Sequence, residues 1–273
     1  MRPTAPFCVR REQIKLQVVL IYPLAHVKGY AAPETKAAVE QARLFVERAN
    51  ALGDAPEDPL LLFSVIYSLW NTRFAAFNGI AACEVATEFM ALAEKQGAAA
   101  PLMVGHRIMG ISLVFSGKIV EGRGHFDSGF ALYNPAEHRR LATRFAVDVQ
   151  VGILVCRSIA LSVLGYPEAA RSDAEQALRD AQEIGHAATL MFALAVTSVT
   201  RTLIGDYLVV NAQLDEVIAL AEEKGALLWK AFGILSQGDV FAVMGKASDA
   251  VQMITSGINR LNIFCAVALI ILG

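Results

Sequence analysis

The sequence predicts an all-α protein, a right-handed α-α superhelix of about six stacked helix pairs, and three observations carry that prediction. Gly165, Gly205 and Gly245 recur at intervals of forty, each between two stretches of helical length. Behind each glycine the same apolar face returns. Ala170, Ala174, Ala177, Leu178 and Ala181 are answered by Val210, Leu214, Val217, Ile218 and Ala221, and then by Ala250, Ile254, Gly257, Ile258 and Leu261. The spacing keeps these side chains on one side of a helix. Finally, ALAEKQG at 91–97 nearly repeats as ALAEEKG at 219–225. A helix pair of this kind cannot bury its apolar face alone, so neighbouring pairs stack into a solenoid.

Taken in order, residues 1–11 carry proline, adjacent arginines and no periodicity, and read as a disordered end. A first helix is expected from about Glu12, with Pro23 as a kink. Pro33 opens the second, whose face is Ala38, Ala42, Phe45, Val46 and Ala49, and Gly53 closes it. The segment GDAPEDP at 53–59 is a loop, and Asp58 followed by Pro59 is a helix start. Helices at 60–76 and 80–96 follow, with Gly79 as their turn and Gly97 as a left-handed cap. The next pair, 101–115 and 119–133, turns at Gly117 and packs through Gly122, Phe126, Gly129 and Phe130. Gly117 and Gly165 are 48 apart rather than forty, and the additional residues fall near 134–144. There Asn134 and Pro135 read as a cap with a first-turn proline, and a break is expected between His138 and Ala142. The repeat domain is thus 12–260. The closing segment 261–273 carries no charge, reads as truncated, and is an association site if bare.

Composition narrows the function. The chain is 55% hydrophobic and 18% charged, with a mean hydropathy of +0.45, which implies surface that becomes covered. A net charge of −2 supplies no basic field for nucleic acid or anionic lipid. Cys8, Cys83, Cys156 and Cys265 form no CxxC pair and read as reduced thiols, and with no signal peptide they point to the cytoplasm. No uncharged apolar run approaches the 18 or so residues of a spanning helix, so no membrane partner is expected.

The sequence lacks the recognisable parts of a catalytic site. A phosphate-binding loop needs a glycine five residues before Gly-Lys-Ser/Thr, so that backbone amides wrap the phosphate. Gly117-Lys118 has Ser112 there and Ile119 after it, and Gly245-Lys246 has Val240 and Ala247. His26, His106, His125, His138 and His186 form no HxxxH pair, and no GxSxG elbow is present. No catalytic residue, cofactor or metal ligand is assigned, and the chain is expected not to be an enzyme. The candidate binding residues are polar or aromatic positions on the first helices of the pairs, which line the concave face of such a superhelix. They are Trp70, Arg73, His106, Arg107, Arg144, Arg157, Arg201, Trp229 and Lys230. A basic groove with aromatic anchors suits an acidic peptide or a small anion, whereas the alternative has these side chains snorkelling to solvent.

The turn Leu164-Gly165-Tyr166, with Ala170 early and Ala177-Leu178 late in the next helix, resembles a tetratricopeptide repeat with a period lengthened to forty. More closely, the stretches LAHVKGYAAPETKAAVEQARL, EDPLLLFSVIYSLW, ALAEKQGAAAPLMVGHRIMG, EHRRLATRF, LGYPEAA, EEKGALLWKAFG and GKASDAVQMITSGI resemble one group of helical repeats. These are the C-terminal repeats of bacterial multidomain proteins that carry a class III adenylate/guanylate cyclase domain and an AAA-type ATPase module. The resemblance implies a regulatory part of a signalling protein that binds a protein or peptide. It transfers no cyclase or nucleotide-binding residue. The alternatives are a small-molecule sensor and a remnant without independent function.

Overall fold

A computed structural model describes residues 5–51 and 58–260, and the closing segment 261–273 lies outside the described residues. Among the described residues there are thirteen α-helices and one 3₁₀ segment, and no strand. The helices are α1 (Ala5–Lys28), α2 (Pro33–Ala51), α3 (Leu61–Ala75), α4 (Gly79–Gln96), α5 (Ala99–Val114), α6 (Ile119–Ala131), α7 (Pro135–His138), α8 (Val149–Val163), α9 (Pro167–Ile184), α10 (Ala187–Leu203), α11 (Tyr207–Glu223), α12 (Leu227–Val243) and α13 (Ala247–Arg260). They make six antiparallel pairs, α1/α2, α3/α4, α5/α6, α8/α9, α10/α11 and α12/α13, with α7 and the 3₁₀ segment Arg139–Thr143 set between the third and fourth. This is the TPR-like α-solenoid that the forty-residue register predicts.

The helix ends follow from capping chemistry. The Asn78 side chain accepts a bond from the Ala81 amide at 3.1 Å, Asn134 from Ala136 at 3.2 Å, and Asp148 from Val151 at 3.1 Å. Each meets a donor that the first turn of a helix leaves without an intrahelical partner. Gly97 and Gly185 close α4 and α9 in the left-handed conformation. Two boundaries differ from the sequence reading. The first helix starts at Ala5 rather than near Glu12 and is continuous through Pro23. The chain is broken from Arg139 to Asp148, because the 3₁₀ turn and the left-handed Ala146 separate α7 from α8.

The turn within the second pair is also a correction. Gly79 does not make it; Gly79 is the first residue of α4. The left-handed position is Phe77, at φ 57°, which occupies the slot held by glycine in the other pairs at Gly29, Gly117, Gly165, Gly205 and Gly245. A bulky L-residue in that region is strained by roughly 1–2 kcal/mol, since its Cβ crowds the following carbonyl.

The first helices of the pairs form an inner layer and the second helices an outer one. Each inner helix touches the next, α1 to α3, α3 to α5, α5 to α8, α8 to α10 and α10 to α12, and α12 touches α1. The inner layer therefore closes on itself in a single turn. Its walls are packed accordingly: Tyr67, Phe89, Phe126 and Phe145 are fully buried in one cluster that joins α3 through α8. A tight seam lies between α5 and α6, where a Cβ added at Gly122 would lie 2.8 Å from the Gly110 carbonyl oxygen.

Candidate functional site

Because every inner helix runs in the same sense, all six within-pair turns lie along one edge of the ring. Neighbouring turns touch. Phe74 and Phe115 pack edge to face at 5.1 Å, Arg123 lies over the Tyr166 ring at 5.5 Å, and Arg171 pairs with Asp206. Four successive turns along this rim also carry exposed apolar side chains. Phe77, Ile80, Phe115, Val120, Tyr166 and Leu208 all lie on it with large exposed surfaces, reaching 79% for Ile80 and 83% for Leu208. Large exposed apolar side chains recurring on successive turns make this edge a candidate docking surface.

The first-helix residues have separate fates. Trp70 is buried, stacks on Phe74 and donates its indole N–H to Ser112 Oγ at 2.9 Å. Trp229 is buried against Phe192 and Phe232. Arg144 is tied to Asp58, and Lys230 lies 2.8 Å from Glu222. Arg157 is held by Asp173 at 2.7 Å and Asp127 at 2.9 Å and lies over the Phe130 ring. Burial works against its charge, but the two carboxylates more than offset that and hold its pKa above the ordinary value. Arg201 is buried with Asp206 at 3.8 Å, and its Nε has no hydrogen-bond partner. Arg73 is exposed beside Glu40 and Glu88 in a groove between α2, α3 and α4. His106 faces outward to α6, where its Nδ1 lies 3.0 Å from His125 Nδ1. Burial lowers both imidazole pKa values, and the neighbouring His125 lowers that of His106 further. The structure thus spreads these residues over several neutralised contacts rather than along one basic groove.

Arg107 is the exception. It points into the closed interior, is 3% exposed, and among the described residues its Nε and Nη1 have no hydrogen-bond partner. Its guanidinium lies 5.8 Å from the Tyr67 ring centroid and 5.7 Å from that of Phe192, and it rests on α8 at Gly152. A Cβ at Gly152 would come within 2.5 Å of Arg107 Nε, so the absence of a side chain makes the seat. Asp148 is within electrostatic reach, but its oxygens are taken by the Tyr133 hydroxyl at 2.7 Å and the Val151 amide. Burial first, and then the neighbouring Tyr67, push the Tyr22 and Tyr30 hydroxyls up, while the Arg107 charge works the other way. Burial likewise raises the Cys156 thiol to about 11.

Sequence reasoning singled out Arg107 but missed Gly152 on α8, Tyr22 on α1 and Tyr30 in the α1/α2 turn, which come from other parts of the chain and carry no local signal. It also missed the rim, although Phe77 was within reach, since it stands forty residues before Gly117. Among the described residues, no group of three or more His, Cys, Asp or Glu is placed to hold a metal, and no helix is long and apolar enough to cross a membrane.

The fold and surface define a TPR-like helical-repeat protein. Compared with known proteins, no family pattern and no curated sequence matches the chain, so the likeness to cyclase-associated repeats finds no support there. Among solved structures the chain is similar to a Rap protein complexed with competence and sporulation factor, at 13% identity and a TM-score of 0.40, with 93% of this chain and 78% of that one covered. A likeness so distant fixes neither ligand nor partner.

Proposed function

We propose that the chain is a non-catalytic scaffold that binds a protein or peptide partner along the rim of within-pair turns. The observation that supports this most is Phe77. The five other within-pair turns relieve the left-handed position with glycine, whereas this one keeps a strained, exposed aromatic ring in line with Ile80 and Phe115. Backbone strain retained on a surface points to function. Arg73, the exposed member of the first-helix set, is in the last turn of α3 and would add a cation at the border of the rim. The resemblance to cyclase-associated repeats supports a finer reading, in which such binding is relayed to nucleotide-dependent domains.

The test is affinity capture from cell lysate with wild-type protein and with the double variant Ile80→Lys, Leu208→Lys. Both positions are exposed, so the variant should keep the wild-type helicity and melting temperature. The expected result is a specific partner recovered with wild type and reduced more than about tenfold with the variant. A partner retained by the folded variant, or ATP hydrolysis or cyclic-nucleotide formation by the purified chain, would contradict the proposal. A second reading, a small-molecule sensor with its ligand inside the ring, is favoured by the unpartnered Arg107.

A further inference from the structure

A guanidinium enclosed without hydrogen-bond partners is costly. Each N–H removed from water and left unmet forfeits its hydration, and the positive charge adds to the penalty. Arg107 meets that condition at Nε and Nη1. The flanking aromatic faces of Tyr67 and Phe192 offset part of the cost through cation–π attraction but accept no hydrogen bond from those edges. A second enclosed donor lies close by: Trp229 Nε1 is also buried and unpartnered, and its ring packs edge-on against the same Phe192 at 5.9 Å. Both groups can only donate. Tyr22, Tyr30 and Phe192 around Arg107 are only partly buried.

From this arrangement we propose that the interior of the ring is a binding site for a carboxylate, seated on Arg107 between Tyr67 and Phe192. The planar, delocalised guanidinium matches a carboxylate in shape and charge, and charge-assisted hydrogen bonds are shorter and stronger than neutral ones. Gly152 has a defined part in the site: it lets the guanidinium lie against α8 instead of reaching solvent. The proposed seat is separate from rim docking, because Arg107, Tyr67, Gly152 and Phe192 are none of the exposed rim residues.

Two sources present this chemistry, the carboxyl terminus of a peptide and a free small carboxylate. The probes are therefore N-acetylglycine and succinate, titrated into the full chain against sodium chloride of matched ionic strength, with the thermal midpoint as readout. Wild type is expected to show a saturable rise with at least one carboxylate and none with chloride. Saturation at lower N-acetylglycine concentration assigns a peptide terminus, and at lower succinate concentration a free dicarboxylate. Arg107→Met is expected to lose the rise and, without ligand, to melt no lower than wild type, because it removes an unpaired buried charge. If Arg107→Met fails to fold, Arg107→Lys decides, since it keeps the charge and loses the planar fork, and about tenfold weaker binding is expected. The proposal is overturned if neither carboxylate raises the wild-type midpoint, if Arg107→Met responds as wild type does, or if Arg107→Lys binds with unchanged affinity.

Discussion

At the scale of single residues, the molecule keeps several groups in unfavourable settings, and each makes a measurable prediction. Phe77 is the simplest. Replacing it with glycine relieves a left-handed φ, so Phe77→Gly should raise unfolding free energy by about 1 kcal/mol while weakening partner capture. A chemical denaturation curve checks the first effect, and an unchanged or lower midpoint would show that the ring's contacts outweigh the strain. Asp239 is a half-buried carboxylate on α12 whose pKa burial raises to about 6. The folded value lies above the unfolded value of about 3.9, so folding favours the neutral form. The cost is fully present above about pH 6 and disappears as pH falls through 4. Asp239→Asn should therefore be more stable than wild type at pH 8, with the difference fading on acidification. The histidine pair has the opposite sign. The pKa values of His106 and His125 are lowered in the fold, so their contribution is intact above the unfolded value of about 6.5 and is lost as pH falls below it. His125→Asn should flatten that acid loss in a pH series of thermal midpoints.

At the scale of elements, the helices and most of their ends were legible because their causes are local. Asn134 with Pro135, and Gly97 after the run ALAEKQ, fix helix ends by residue type alone. Where the cause is not local the reading failed. Gly79 attracted the turn assignment because glycine tolerates positive φ, yet the forty-residue register had already placed the turn at Phe77. Ala146 gives no sign in sequence of the left-handed geometry that delays α8. The glycines inside helices are explained by close approach between neighbours rather than by turns. Gly122→Ala on α6 would press its methyl group against the Gly110 carbonyl and Val114, with backbone on one side and no flexible end to yield. It should cost about 2 kcal/mol, whereas Gly124→Ala, which meets open space, should be neutral or slightly stabilising. Comparing the two denaturation midpoints tests whether the α5/α6 seam is as tight as described.

At the scale of the whole molecule, closure organises everything else. The repeat register predicts stacking of neighbours, but the meeting of the first and last inner helices depends on the small rotation summed over six pairs, which no single repeat encodes. A basic groove on the concave face was the sequence expectation; in the closed ring Arg157 is held by Asp127 and Asp173 while Arg107 is enclosed. Closure removes the concave face from general use, which is why we propose the rim for a large partner and the interior for a small carboxylate. The most direct test is small-angle X-ray scattering of the chain in dilute solution. A ring in which α1 touches α12 behaves as a compact particle, with a radius of gyration of about 19 Å for this length. That value, with a distance distribution falling smoothly to zero, is the result the closed turn requires. A clearly larger radius with an extended tail in the distribution would mean that the ends stand apart, and would contradict both the enclosed site at Arg107 and the rim of neighbouring turns.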